Sequence, residues 1–497
     1  MKNLTAGLIL AFCFASVAGA QTTWKPIETA GQVDGETLTI KNPIPEADGK
    51  MIAAGASIND SATHNTLNIS TDLTETNTNV PSTQFNHYIV GGAVYNNTAD
   101  GNTVNINGAT ISGRAVAGGL ARTRNPNSID VEKWDTGNAT NNTVNITGAT
   151  IDVNPQTTDS VFDMEGNPVA VAGGANQFYV GNASGNTVNI TDSTITGGVV
   201  GGLNYVKTTQ EEVNEHSGML THRDNNNNTV RITNSTITGD VYGSNGGVTG
   251  NYNTVILNKA TVNGSVFAAD SGFSLVEDNR ATGTFNYNRL DLLNGSSVNS
   301  AAAVSAANNN ASYNLMNLEN ATVSNGTLYT VKMIHGQEDN SATIAGETNY
   351  NTLNISNTPM TAYEIGGALN FTGSPSYNTV NISGSDITLT FNTAQTLGGL
   401  MNTQSLLGKN LLGTEDEEGN AITPDLSTSN GYIFGGATAD YIAQVAGVVE
   451  TAPDEVIVGF GSAADNNTIS LQNGTINANV MGGFAAYVRE VNYTTET

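Results

Sequence analysis

From Asn186 to Gly202 the chain reads N-T-V-N-I-T-D-S-T-I-T-G-G-V-V-G-G. Val188 and Ile190 alternate with Thr187, Asn189 and Thr191, the period-two pattern of a strand with one buried face. Ile195 repeats it between Thr194 and Thr196, and Val199 and Val200 lead into a glycine pair. The same phrase recurs along the chain. Its anchor asparagine falls at Asn65, Asn102, Asn142, Asn186, Asn228, Asn253, Asn288, Asn314, Asn351, Asn378 and Asn467. A pattern that returns this way predicts a stack of equivalent units rather than a set of independent elements.

The spacing between anchors runs from 25 to 44 residues, with a last gap of 89. The shortest gaps hold three short strands and three corners. The longer ones add residues mostly after the glycine pair, as in 120–140, 203–227 and 337–348, and once within the second half of a unit, in 154–168. The expected fold is therefore all-β: a single elongated parallel β-helix with loops of variable length inserted mainly at one corner. Each strand would pair with its equivalent one rung on, which satisfies the backbone along the axis. A dozen rungs at about 4.8 Å each would span about 60 Å. Residues 21–64 are expected to form a cap and a degenerate first rung, 65–484 the repeats, and 485–497 the start of a further repeat. Within the 89-residue gap, Tyr432-Ile433-Phe434-Gly435-Gly436 suggests a hidden rung.

Two residue types carry the corners in this picture. Asparagine tolerates a left-handed backbone, and stacked amides can hydrogen-bond from rung to rung, so the anchors are expected to form a ladder. The pairs Gly91-Gly92, Gly118-Gly119, Gly173-Gly174, Gly201-Gly202, Gly366-Gly367 and Gly482-Gly483 are expected to turn a second corner free of Cβ clashes. The ladder also accounts for Asn-x-Ser/Thr triplets such as Asn145-Ile146-Thr147.

The ends and the composition add location. Lys2, an apolar run from Leu8 to Val17 and Ala18-Gly19-Ala20 have the form of a secretory signal over residues 1–20. Cys13 is the only cysteine and lies inside that run. The formal charge of −27 opposes binding to phosphate backbones, so no nucleic-acid partner is expected. Val491-Asn492-Tyr493-Thr494 resembles the approach to another repeat, as in Asn349-Tyr350-Asn351-Thr352, and the chain is expected to be a fragment of a longer one.

The signal, the cysteine-free remainder and the N-T-V-N-I…A-T-I…G-G repeats together resemble the passenger region of Gram-negative autotransporters, in the adhesin-like group with Asn/Thr/Gly-rich β-helical repeats. That resemblance implies a surface-displayed or shed stalk. Its partners would be host or bacterial surface glycans or proteins, including other copies of itself. It also implies a C-terminal outer-membrane β-barrel translocator, whose ten-residue amphipathic strands with aromatic girdles this sequence does not contain.

Candidate chemistry is sparse. Tyr252, Tyr287, Tyr313, Tyr350 and Tyr377 each precede an anchor asparagine in five consecutive repeats, which predicts a column of rings at rung spacing. Such a column could hold sugars, or it could stiffen the corner. Ala269-Asp270-Ser271-Gly272 is close to the G-D-S-G of serine proteases, but it aligns with the glycine-pair position of neighbouring repeats. The five histidines, His64, His87, His216, His222 and His335, fall in loops or corners without a triad setting. Glu211-Glu212 and Glu415 to Glu418 are loop charge runs, and the second could hold Ca²⁺ although it lacks EF-hand spacing. No zinc spacing, phosphate loop or dinucleotide motif is present, so neither cofactor nor metal is expected. The expectation is a non-enzymatic adhesin; the alternative is a secreted β-helical polysaccharide lyase or hydrolase.

Overall fold

The structure, a computed structural model, describes residues 11–13, 24–26, 32–44, 51–57, 60–75, 87–95, 97–122, 137–153, 163–164, 167–176, 181–204, 224–271, 283–307, 310–324, 327–334, 346–362, 364–370, 374–390, 431–439 and 464–486. Among them every regular element is a strand, and none is a helix. The chain divides into two compact units, Met1–Ala281 and Thr282–Thr497, and each is a stack of parallel β-helical rungs.

One rung of the first unit shows the plan. A short lead strand, Thr98–Asp100, is followed by the first long strand, Thr103–Asn107, then by Thr110–Ser112 and Ala115–Arg122. Each pairs in parallel and in register with its counterpart one rung on: Asn138–Thr140, Thr143–Thr147, Thr150–Asp152 and Asn167–Asn176. Four rungs of the first unit carry this additional lead strand, at Val33–Asp34, Ala62–Thr63, Thr98–Asp100 and Asn138–Thr140, whereas the short gap from Asn228 to Asn253 holds three strands, as expected. The lead strand is too short to show a hydrophobic period, so nothing in the alternation marks it.

Alternation along the long strand sets the core. Val104, Ile106, Val144, Ile146, Val188 and Ile190 point inward and are buried, while the Thr and Asn between them remain partly accessible. In the second unit the same strand recurs as Arg289–Leu293, Leu315–Glu319, Thr352–Ser356, Thr379–Ser383 and Thr468–Gln472, again parallel and in register. The first rung is more regular than expected: Thr37–Ile40 pairs with Thr66–Ile69, and Ile52–Ser57 pairs with Tyr88–Tyr95.

Two expectations change. The glycine pairs do not end strands. Gly91-Gly92, Gly118-Gly119, Gly173-Gly174, Gly201-Gly202 and Gly482-Gly483 each lie inside the last strand of a rung. The pairing skips the first glycine, as where Ala117 meets Val90 and Gly119 meets Gly92. A Cβ on Gly118 would lie 2.4 Å from the carbonyl oxygen of Gly173 one rung on. Gly366-Gly367 is out of phase with the other pairs. Gly367 stands opposite Gly435, and Gly366 makes room for rings, since its Cβ would lie 2.4 Å from Phe434 Cε2 and 2.9 Å from Tyr329 Cδ1.

The hidden rung is not there. Thr379–Ser383 pairs directly with Thr468–Gln472 across the 89-residue gap, and Tyr432–Ala439 is the last strand of the rung that begins at Asn378. Its glycine pair was legible, but its partner strands lie far away in sequence. The gap is one rung with two insertions, 391–430 and 440–463.

The remaining stretches between described residues fall at two places in the rung, before the last strand and after it. From the lead strand through the third strand, no insertion interrupts the repeats. In two rungs without an insertion at the first of these places the two strands fuse, as Thr261–Asp270 and Ser297–Ala307, while Thr110–Ser112 and Ala115–Arg122 stay separate. Apart from Ala11–Cys13, which pairs antiparallel with Trp24–Pro26, the stretch 1–20 expected to be a secretory signal lies outside the described residues. So do Glu211-Glu212, the acidic run at 415–418, His216, His222, His335 and the last residues, 487–497.

Candidate functional site

The corner ahead of each long strand is built from two residues with separate tasks. The anchor asparagine points inward. In the first unit, Asn65 donates its side-chain amide to Asn102 Oδ1 at 2.9 Å, Asn102 to Asn142 at 3.0 Å, and Asn142 to Asn186, Asn186 to Asn228 and Asn228 to Asn253 at 3.1 Å. In the second unit the series is Asn288, Asn314, Asn351, Asn378 and Asn467, at 3.0–3.1 Å. Each acceptor oxygen also takes the backbone N–H of the same donor residue, as Asn186 Oδ1 does from Asn142 at 3.0 Å. For Asn65, Asn102, Asn142, Asn186, Asn351 and Asn467 the side-chain amide also donates to a carbonyl; that of Asn186 meets Ala139 O at 2.9 Å. A buried amide with every hydrogen used is a structural group, and the ladder is the spine of each unit.

The left-handed backbone belongs to the residue before the anchor. In the first unit these are His64 at φ 52°, Gly101 at 64°, Asn141 at 55°, Gly185 at 71°, Asn227 at 58° and Tyr252 at 58°. In the second they are Tyr287 and Tyr313 at 60°, Tyr350 and Tyr377 at 58°, and Asn466 at 55°. The anchors themselves are not left-handed, which corrects half of the reason expected for them. Glycine and asparagine enter this conformation cheaply; a large L-residue pays about 1 kcal/mol or more. Tyrosine is therefore not what the corner asks for.

In the second unit the four tyrosines stack. Ring centroids lie 5.1 Å apart for Tyr287 and Tyr313, 5.0 Å for Tyr313 and Tyr350, and 5.1 Å for Tyr350 and Tyr377, with planes within 7–12° of parallel. Each of these residues is 46–48% exposed. Tyr252 holds the same position in the first unit and is 55% exposed. Stacked rings cover each other's faces, so a ligand approaching the column meets ring edges and a row of phenol hydroxyls.

Beside the corner runs a second ladder that the sequence pattern did not single out. Asn105 donates to Asn68, Asn145 to Asn105 and Asn189 to Asn145, each at 2.9 Å. In the second unit Asn317 donates to Asp291 at 2.7 Å, Asn354 to Asn317 at 2.8 Å and Asn381 to Asn354 at 2.9 Å. Apart from the buried Asp291, these side chains are partly accessible and lie on the face that no insertion interrupts. The available signal was the central Asn of T-V-N-I, including Asn145 of the triplet noted above.

Ionisable groups gather in two buried places. In the first unit Arg114 Nη2 lies 2.7 Å from Glu75 Oε2, and His87 Nδ1 lies 3.5 Å from the same oxygen. All three are buried, so His87 does stand beside a carboxylate, but the third member is a cation rather than a nucleophile. In the second unit Tyr329 donates its hydroxyl to Glu364. Burial, then the charge of Glu364, pushes the Tyr329 phenol well up. Burial also lowers Lys332, against the pull of Glu364, and raises Tyr432. Phe434, Leu369 and Ala437 pack around Tyr329. Glu364 was missed because it is a lone acid in E-I-G-G, at a position where the neighbouring rungs carry Thr327 and Tyr432 and no charge recurs.

His64 is exposed and held 2.9 Å from Asp34 Oδ1; hydrogen bonds from Thr63 and then His64 keep the Asp34 carboxyl below its ordinary value. Asp270 ends a strand opposite Asn245, a structural place for the protease-like tetrapeptide. Among the described residues no group of three or more His, Cys, Asp or Glu is arranged to hold a metal ion. No protein-family model, no curated protein and no solved structure matches this chain.

Proposed function

We propose that this chain is a non-enzymatic contact protein: an exported autotransporter passenger, surface-displayed or shed, that acts as an adhesin. One observation carries this reading. Tyr287, Tyr313, Tyr350 and Tyr377 are each about half exposed at a corner where His, Gly and Asn serve elsewhere in the same chain. Four exposed aromatics against a backbone preference are side chains that folding alone does not require, and exposed aromatics are the residue class that anchors recognition. Partners would be glycans or proteins of host or bacterial surfaces, met edge-on by the phenols. The Thr/Asn face beside the column supports contact between copies as a variant of the same activity. A native chain continuing into an outer-membrane β-barrel would supply export and anchoring.

The test is adhesion by the purified chain. It should coat cells or an immobilised glycan panel saturably and leave polysaccharide chain length unchanged. The other class, a β-helical lyase or hydrolase, has one observation in its favour, the joint presence of Glu364, Tyr329 and Lys332. If the chain shortens uronic-acid polymers and Glu364→Gln abolishes this, the enzyme reading replaces the adhesin.

A further inference from the structure

The tyrosine column has a chemical capacity that does not depend on adhesion. We propose that Tyr287, Tyr313, Tyr350 and Tyr377 are a site of oxidative dityrosine cross-linking, by which a peroxidase and hydrogen peroxide join successive rungs of the second unit covalently.

Four features of the column favour this. Its rings are already in contact, with centroids 5.0–5.1 Å apart and planes within 7–12°. Their backbones are pinned alike at φ 58–60°. The N–H groups of Tyr313 and Tyr350 are tied to the next rung by bonds to Asn349 O at 3.0 Å and Ser376 O at 3.2 Å. Finally, each of the four residues is 46–48% exposed and so within reach of an oxidant. A radical on one ring therefore has its coupling partner held beside it, and proximity of that kind outcompetes encounters in solution. Tyr329 makes a contrast, being buried and hydrogen-bonded to Glu364.

The chemistry balances without a group supplied by the chain. Each of two neighbouring phenols loses one electron and one proton. The two phenoxyl radicals form a carbon–carbon bond between positions ortho to their oxygens. The two ortho hydrogens then move to the oxygens, which restores both phenols. The two electrons and two protons removed convert one hydrogen peroxide into two waters. The chain has a single cysteine and so forms no internal disulfide, which leaves tyrosine as the residue able to staple rungs.

The experiment treats the full chain, dilute, with horseradish-type peroxidase and hydrogen peroxide. Digestion at Arg289, Lys332 and the glutamates, Glu364 among them, places the four tyrosines on separate peptides. The expected products are cross-linked peptide pairs Tyr287–Tyr313, Tyr313–Tyr350 and Tyr350–Tyr377, each two hydrogens lighter than its parts, from protein that still migrates as a single chain. The double variant Tyr313→Phe, Tyr377→Phe keeps rings in the stack and leaves no adjacent pair among the four tyrosines of the column. It should keep the β-sheet circular dichroism of the parent and lose these three column products; Tyr329 and Tyr432, which pack in one cluster, lie outside the column. Coupling spread over the other tyrosines of the 16, coupling only between different molecules, or unchanged yield in the double variant would each overturn the proposal.

Discussion

Gly119 lies against the side-chain amide of Asn142, so closely that a Cβ on the glycine would sit 2.4 Å from Asn142 Nδ2. The glycine of one rung makes the space that the buried amide of the next one occupies. The same relation holds for Gly55 with Asn65, Gly92 with Asn102, Gly174 with Asn186 and Gly202 with Asn228. Gly119→Ala should therefore destabilise the first unit through overpacking, by about 1–3 kcal/mol. Urea unfolding followed by circular dichroism checks this, and an unchanged midpoint would mean the ladder can shift to admit a methyl group.

The inner and outer asparagine ladders should differ sharply when cut. Asn186→Ala removes a side chain that accepts from Asn142 N and Nδ2 and donates to Asn228 Oδ1 and Ala139 O, leaving several buried polar groups unpaired. A loss of about 3 kcal/mol or more is expected, since each orphaned buried group costs roughly 1–3 kcal/mol. Asn145→Ala in the outer ladder leaves groups that water can reach, and should cost no more than about 1 kcal/mol. Equal effects would contradict the assignment of the inner ladder as the spine.

These two ladders also show what the sequence can and cannot reveal. The parallel β-helix and the inner ladder follow from short-range patterning, because Val188 and Ile190 alternate with polar neighbours and Asn186 returns at the same phase. What the alternation could not tell was which residue of each corner takes the left-handed backbone. Asn186 is itself compatible with that conformation, and only coordinates show that Gly185 adopts it. The offset of Gly366-Gly367 and the false rung at Tyr432 have one cause: a glycine pair marks a strand type, whereas register is fixed by a partner strand that can lie many residues away. Glu364 and Tyr329 come together through such register, 35 residues apart, which no local pattern encodes.

Stability at alkaline pH should carry the mark of Lys332. Burial lowers its folded pKa below the free-lysine value of about 10.4. Between those two values the unfolded chain binds more protons than the folded one, so this residue's contribution makes stability rise with pH through that window. Below it the ammonium is charged in both states and its burial is a constant penalty. Lys332→Met removes the penalty. The variant should be more stable than the parent near neutral pH, and the gap should close as pH climbs toward about 10.4. A gap independent of pH, measured as the difference in urea midpoints, would show that Lys332 is solvated in the folded protein.

Replacing Tyr350 separates strain from stacking. Tyr350→Asn relieves a left-handed tyrosine, worth about 1 kcal/mol, and breaks two ring contacts worth about 0.5–1.5 kcal/mol each. The net change should be a loss of no more than about 2 kcal/mol, with the fold retained. Tyr313→Asn, which also breaks two ring contacts, should cost about as much as Tyr350→Asn. Thermal unfolding of the two variants side by side provides the comparison.

Adhesion by a chain in which Tyr287, Tyr313, Tyr350 and Tyr377 are all replaced by Asn bears most directly on the contact-surface account. Asparagine already serves this corner at Asn141, Asn227 and Asn466, so the variant should fold. Its binding to the cells or glycans that capture the parent should be measured beside its circular dichroism. The account predicts an intact β-sheet spectrum and binding reduced at least tenfold, equivalent to about 1.4 kcal/mol. Full binding by the folded variant would contradict it and return the tyrosines to a purely structural role.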